Sequence, residues 1–102
     1  MYFIFICTTT YPTFPETTLG LLQSTLKWTR KMKSEGKLEK SWSLAGSNSS
    51  AGILVVKSHE ELDEVMISHP LASVSKITVY PLIDQLPALD KAISSIQRSM
   101  KV

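Results

Sequence analysis

The chain has 102 residues, enough for a single domain over residues 1–102 and too few for a second core. Its 11 Lys and Arg against 9 Asp and Glu leave a net charge of +2, which excludes the massed basic face of a nucleic-acid binder. At 43% hydrophobic and 20% charged it is too apolar for disorder, while one cysteine and two histidines make no disulfide and a poor zinc site.

The opening MYFIFIC is apolar but short, with no basic segment before it and no small-residue cleavage site after it. A spanning helix needs about 20 apolar residues, so no membrane partner is expected and the location is read as cytoplasmic. Phe and Ile instead favour a buried strand over Tyr2 to Thr9. Tyr2, Ile4 and Ile6 fall on one face, and Phe3, Phe5 and Cys7 on the other. Both faces are apolar, so both need a cover. Cys7 reads as a buried, inert thiol.

Two prolines and a threonine cluster then break the strand and lead into a helix over Glu16 to Glu35, closed by Gly36. Leu19, Leu21, Leu22, Leu26, Trp28 and Met32, with Thr25 and Thr29, fill one broad half of it. Lysine and arginine fill the other, predicting a core-facing helix with a basic outer side. Strands follow over Leu38 to Ser47 and Ala51 to Lys57, joined by the polar tip SNSS. Ser58 and Glu61 form a capping box, and the helix they open ends before Pro70. A strand over Val74 to Leu82 comes next. Leu86, Leu89, Ile93, Ile96 and Met100 then step by three and four, the stripe of a closing amphipathic helix.

The fold class is α+β: a ferredoxin-like βαββαβ unit with an additional C-terminal helix. Both helices of the unit lie on one face of its sheet and leave the other bare. Here that bare face is apolar, which predicts a homodimer, or a larger homo-oligomer, with sheets packed into a dimeric α+β barrel.

Trp42-Ser43-Leu44-Ala45-Gly46, the strand Gly52 to Val56, Ser58 with Leu62, and His69-Pro70-Leu71 before Ile77-Thr78-Val79 resemble the muconolactone delta-isomerase family. The resemblance aligns without gaps from Trp42 to about Leu82, and the basic, glycine-terminated end of the first helix matches too. It implies dimeric barrels that assemble further and shift a proton within an unsaturated lactone, with neither metal nor organic cofactor. The chain departs from that pattern where the family carries a histidine and a tyrosine, having Ser47 and Asn48 there. Ala51 stands in place of a further aromatic, and a C-terminal histidine-proline element is replaced by the amphipathic helix.

Two residues are candidates for chemistry. His69 has an unperturbed pKa of about 6.5, suited to proton transfer near neutrality. Its alternative role is to complement the dipole at a helix end. Tyr80 would supply a hydroxyl to a substrate oxygen, with Asp84 just beyond it. Candidate ligand-binding residues are Tyr11 and Phe14 in the loop over the barrel mouth, Trp42 mid-strand and Ser47 at the hairpin tip. Trp42 equally suits core packing, and turn chemistry equally explains Ser47 and Asn48. Glu16 suits the start of its helix, and His59, among acidic neighbours, a solvated surface. Three functions follow: a cofactor-free isomerase or related lyase acting on a small, partly apolar acid or lactone; a cofactor-independent monooxygenase of the dimeric-barrel group; or a non-catalytic ligand-binding or assembly protein.

Overall fold

Alternation in YFIFICTT builds an eight-residue central strand, β1 (Tyr2–Thr9). The computed structural model describes residues 1–12 and 14–101; Thr13 of the proline-rich loop and Val102 lie outside them. After β1 come α1 (Pro15–Ser34), β2 (Leu38–Leu44), β3 (Ser49–Val55), α2 (His59–Ile67), β4 (Ser75–Leu82) and α3 (Gln85–Met100). The four strands form one antiparallel sheet in the order β2-β3-β1-β4. This is the expected α+β unit of βαββαβ with an added helix.

Helix α1 starts with Pro at its first position, where a missing N–H costs nothing. Its end is a full Schellman motif. Gly36 takes a φ of 74° and donates to the Lys33 carbonyl, while Lys37 N–H donates to the Met32 carbonyl at 2.9 Å. Ser58 caps α2 by accepting the Glu61 N–H at 3.1 Å, the expected half of the capping box. A single 3₁₀ turn, Ala72–Val74, lies between α2 and β4, where the sequence suggested strand from Val74.

The hairpin departs from expectation on both strands, and β2 ends at Leu44 rather than Ser47. Its turn spans 45–48, so β3 begins at Ser49 rather than Ala51, and SNSS is only partly the tip. Gly46 decides this. It adopts a φ of 80° and lets Ser47 N–H reach the Leu44 carbonyl, as a type II turn with glycine at its third position requires.

The core lies on one side of the sheet. Phe3, Phe5 and Cys7 pack there against Trp28 and Met32 of α1 and Val65 of α2. Gly52 makes the closest fit: a Cβ built on it would stand 2.5 Å from Phe5 Cε1 and 2.9 Å from Leu38 Cδ1. Gly52→Ala therefore forces the Phe5 ring aside. We expect it to destabilise the fold by about 1–3 kcal/mol in urea titration, the usual range for an overpacked core.

The other side is open. Register puts Ile4 opposite Tyr80 and Ile53, and Ile6 opposite Ala51, which itself pairs with Trp42. Tyr2, Trp42, Leu44, Tyr80 and Leu82 are exposed on that side or at its rim. The edges are blunted. Edge strand β4 carries Lys76 and Pro81, and edge strand β2 carries Glu39 and Lys40 with an irregular register between Leu38 and Lys40.

Two further surfaces differ from a fully core-facing pattern. Leu19, Leu22 and Leu26 of α1 are about half exposed, because it is the edge carrying Leu21, Trp28 and Met32 that meets the core. Helix α3 buries none of its residues and exposes its whole stripe, from 48% at Leu89 to 78% at Met100. The molecule is accordingly 64 Å long with a radius of gyration of 17.8 Å. A compact chain of this length has a radius of gyration near 13 Å, so α3 projects from the body.

Candidate functional site

Between α1 and the β2–β3 hairpin the packing leaves a crevice with two lobes. The inner lobe, about 250 Å³, is lined by the apolar side chains of Phe5, Trp28 and Leu38 and by His69. Thr25, Thr29, Ser41, Ser43 and Ser50 supply its hydroxyls. The outer lobe, about 220 Å³, adds Tyr11, Leu22, Ser47, Asn48 and Leu71. Thr25, Ser43 and Ser50 line both, so the lobes adjoin.

His69 is placed by the way α2 ends. After the C-cap Ser68 the chain turns, the His69 carbonyl accepts the Ala72 N–H at 3.0 Å, and the ring swings inward to 4% exposure. Its Nδ1 accepts the Leu71 N–H at 3.1 Å. That bond assigns the ring proton to Nε2, because a neutral imidazole carries one donor and one acceptor. Trp28 lies over the ring with centroids 4.4 Å apart, and Phe5 meets it edge-on at 6.1 Å. Trp28 is held in turn, donating from Nε1 to Ser68 Oγ at 2.8 Å, while Ser68 donates to the Val65 carbonyl at 2.7 Å. The indole thus ties α1 to the end of α2 and roofs the histidine.

Burial lowers the His69 pKa from its ordinary 6.5. The same burial favours the neutral ring, which the bond accepted by Nδ1 also requires, over a cation complementing the helix end. The folded state disfavours the proton, so the unfolded chain binds it more readily. Stability is full above about pH 6.5, falls as the pH drops below that value, and stops falling once the folded ring also protonates. Urea midpoints measured across this window are expected to decline in the wild type. His69→Gln, with no imidazole to titrate, should flatten the slope; an equal slope in both would locate the acid sensitivity elsewhere.

The other candidates divide between this crevice and the rest of the surface. Tyr11 and Ser47 line the outer lobe. Ser47 also donates to the Leu44 carbonyl at 3.1 Å, which is turn chemistry. Trp42 borders the inner lobe from edge strand β2, half exposed, its register shared with Ala51 on the open face. Phe14, the N-cap of α1, is 69% exposed and borders neither lobe.

Tyr80 is separated from His69. Its register with Ile4 puts it on the open face at 54% exposure, with the sheet between the two side chains. The pairing of imidazole and phenol suggested by the sequence is therefore not made within one protomer. Period-two alternation is the cause: Ile77 and Val79 turn toward the core and send Tyr80 the other way.

Sequence reasoning missed Trp28, Thr25, Thr29, Ser41 and Ser43 as site residues. A signal was there. Thr25 and Thr29, one turn apart inside an otherwise apolar half-helix, bracket the position of Trp28. Among the described residues no group of three or more His, Cys, Asp or Glu side chains is placed to hold a metal. No described helix is long and apolar enough to cross a membrane.

The family model of muconolactone delta-isomerase matches residues 1–86. The chain belongs to the muconolactone delta-isomerase family. A crystal structure of muconolactone isomerase superposes with a TM-score of 0.79 at 23% identity, covering 84% of this chain and 92% of the other. The 5-chloro-2-hydroxyhydroquinone dehydrochlorinase of Burkholderia phenoliruptrix AC1100, solved in complex with 2,5-dihydroxybenzoquinone, superposes with a TM-score of 0.59. Its identity is 15%, with 81% of this chain and 94% of that one covered. At these identities the superpositions speak for the fold. No curated protein sequence matches the chain. The family match ends two residues into α3, so nearly all of that helix lies beyond it.

Proposed function

We propose that this family member binds a small ring compound of the lactone type in the crevice between α1 and the hairpin, with His69 as the orienting hydrogen-bond donor. One observation carries the proposal: the bond from Leu71 N–H to His69 Nδ1, which leaves Nε2–H as a donor for a ligand beside the lobe's hydroxyls and the apolar walls of Trp28 and Phe5. Isomerisation needs a group that takes a proton as well as one that gives it. His69 in this tautomer gives. Neither lobe has a carboxylate or a lysine among the described residues that line it. Binding without turnover is therefore favoured over lactone isomerisation, and over oxygenase chemistry for which no further observation speaks.

The working unit is a homodimer joined through the open sheet face, and its place is the cytoplasm. The dimer is supported by Ile4, Ile6, Trp42 and Tyr80 sharing that face, an apolar surface a lone protomer would leave in water. Tyr80 belongs to that interface in this proposal.

The test combines binding with turnover. Simple γ-lactones titrated into ¹⁵N-labelled protein are expected to shift the His69 Nε2 and Thr25 amide resonances, and muconolactone is expected to pass unchanged. Turnover that disappears in His69→Ala would instead establish His69 as a proton-transfer group. No shift with any lactone would remove the crevice as a binding site.

A further inference from the structure

We infer that helix α3 of one copy docks antiparallel on the outer leucine stripe of α1 in a second copy. The protomer leaves two apolar stripes in water, and they match. Leu19, Leu22 and Leu26 of α1 are about half exposed, and so are Leu89, Ile93 and Ile96 of α3. Both stripes step by three and four residues, the spacing at which two helices interlock side chains along one seam.

Charge decides the direction. Each helix is acidic at its start and basic toward its end, the order a helix dipole favours. In α1 this is Glu16 followed by Lys27, Arg30 and Lys31; in α3 it is Asp84 and Asp90 followed by Arg98 and Lys101. Laid side by side in the same direction, the helices would set acid against acid and base against base. Antiparallel, Leu19, Leu22 and Leu26 meet Ile96, Ile93 and Leu89. Glu16 then falls level with Arg98 and Lys101, and Lys27 and Arg30 fall level with Asp90 and Asp84. A second α3 would offer the same charges but leave the α1 leucines in water, whereas α1 covers both stripes with one contact. In its own chain α3 follows edge strand β4 after two residues, Ile83 and Asp84, and buries none of its side chains. Neither stripe belongs to the open sheet face, so this contact adds to the proposed sheet-face dimer. Leu22 also lines the outer lobe, so one copy's helix forms part of the rim of another's crevice.

Cysteine pairing tests the contact in the full chain, whose native Cys7 is buried. Leu22→Cys and Ile93→Cys are placed in separately tagged chains, co-expressed and oxidised. A disulfide joining the two variants is expected as the major product. Ile93→Cys joined to itself as readily would mean that α3 pairs with α3, and no cross-link between the two variants would mean another occupant or none; either result overturns the inference. Lys27→Glu and Asp90→Lys, both at exposed positions, should each weaken association about threefold or more at low salt. A chain carrying both should regain it, because the pair is then reversed across the contact. Urea midpoints at low concentration should not move in any of these charge variants. A double variant no tighter than the singles would overturn the antiparallel docking.

Discussion

Trp28→Ala should be the most damaging single substitution in the protomer, lowering stability by about 3–5 kcal/mol as large-to-small core changes at aromatic positions do. Trp28 is 7% exposed, lies over the His69 ring and anchors the end of α2 through Ser68. Removing it leaves a void between α1 and the sheet, deletes a tilted ring contact and unties one hydrogen bond. Trp28→Phe separates these effects. It keeps most of the packing and gives up the Nε1–H, so its cost should be nearer the roughly 0.5–1.5 kcal/mol of one hydrogen bond. Urea unfolding of both variants provides the check. Equal losses would mean that the hydrogen bond to Ser68, rather than the ring, holds the two helices together.

Truncation after Asp84 is expected to act on assembly and to spare the fold of the protomer. Helix α3 buries none of its own residues, so the core beneath α1 and α2 has little to lose with it. Its stripe of Leu86, Leu89, Ile93, Ile96 and Met100 is a different matter. Side chains of this kind contribute about 1.5–3 kcal/mol each when fully covered, and a step of three and four residues is the seam on which helices pair. The sheet-face dimer leaves that seam uncovered, and we expect a further copy to cover it. Light scattering should therefore give the full chain a multiple of 11.4 kDa and the truncated chain a smaller multiple, while their unfolding midpoints measured at low concentration stay close. An unchanged mass would show that the stripe takes no part in assembly. A stable 11.4 kDa particle for the full chain at micromolar concentration would overturn the dimer itself.

What the sequence conveyed and what it withheld follow the range of the interactions involved. The bounds of β1, the Schellman end of α1 and the cap of α2 depend on residues a few positions apart, and they were readable to within a residue or so. The hairpin tip was misjudged because a cluster of serines looks like a turn, whereas the positive φ of Gly46 makes one. Periodicity identified the apolar half of α1 but could not say how much of it the sheet would reach. Leu19, Leu22 and Leu26 are where that difference falls. For the site, His69, Tyr11, Trp42 and Ser47 border one crevice, and Tyr80 and Phe14 do not. The tautomer of His69 was beyond any reading of pattern. It rests on Leu71 offering its N–H two residues later, a consequence of the turn that closes α2.

The blunted sheet edges bear on what size the protein can reach. A strand rim with free donors and acceptors invites a neighbour, then another, with nothing to end the series. Here β4 meets the solvent with Lys76 and with Pro81, which has no N–H to give, and β2 meets it with Glu39, Lys40 and a disturbed register. In the proposed assembly, association is thereby steered to the flat face and the projecting helix and away from the strand rims. Growth by strand addition, the route into fibres, therefore finds no open edge to start from.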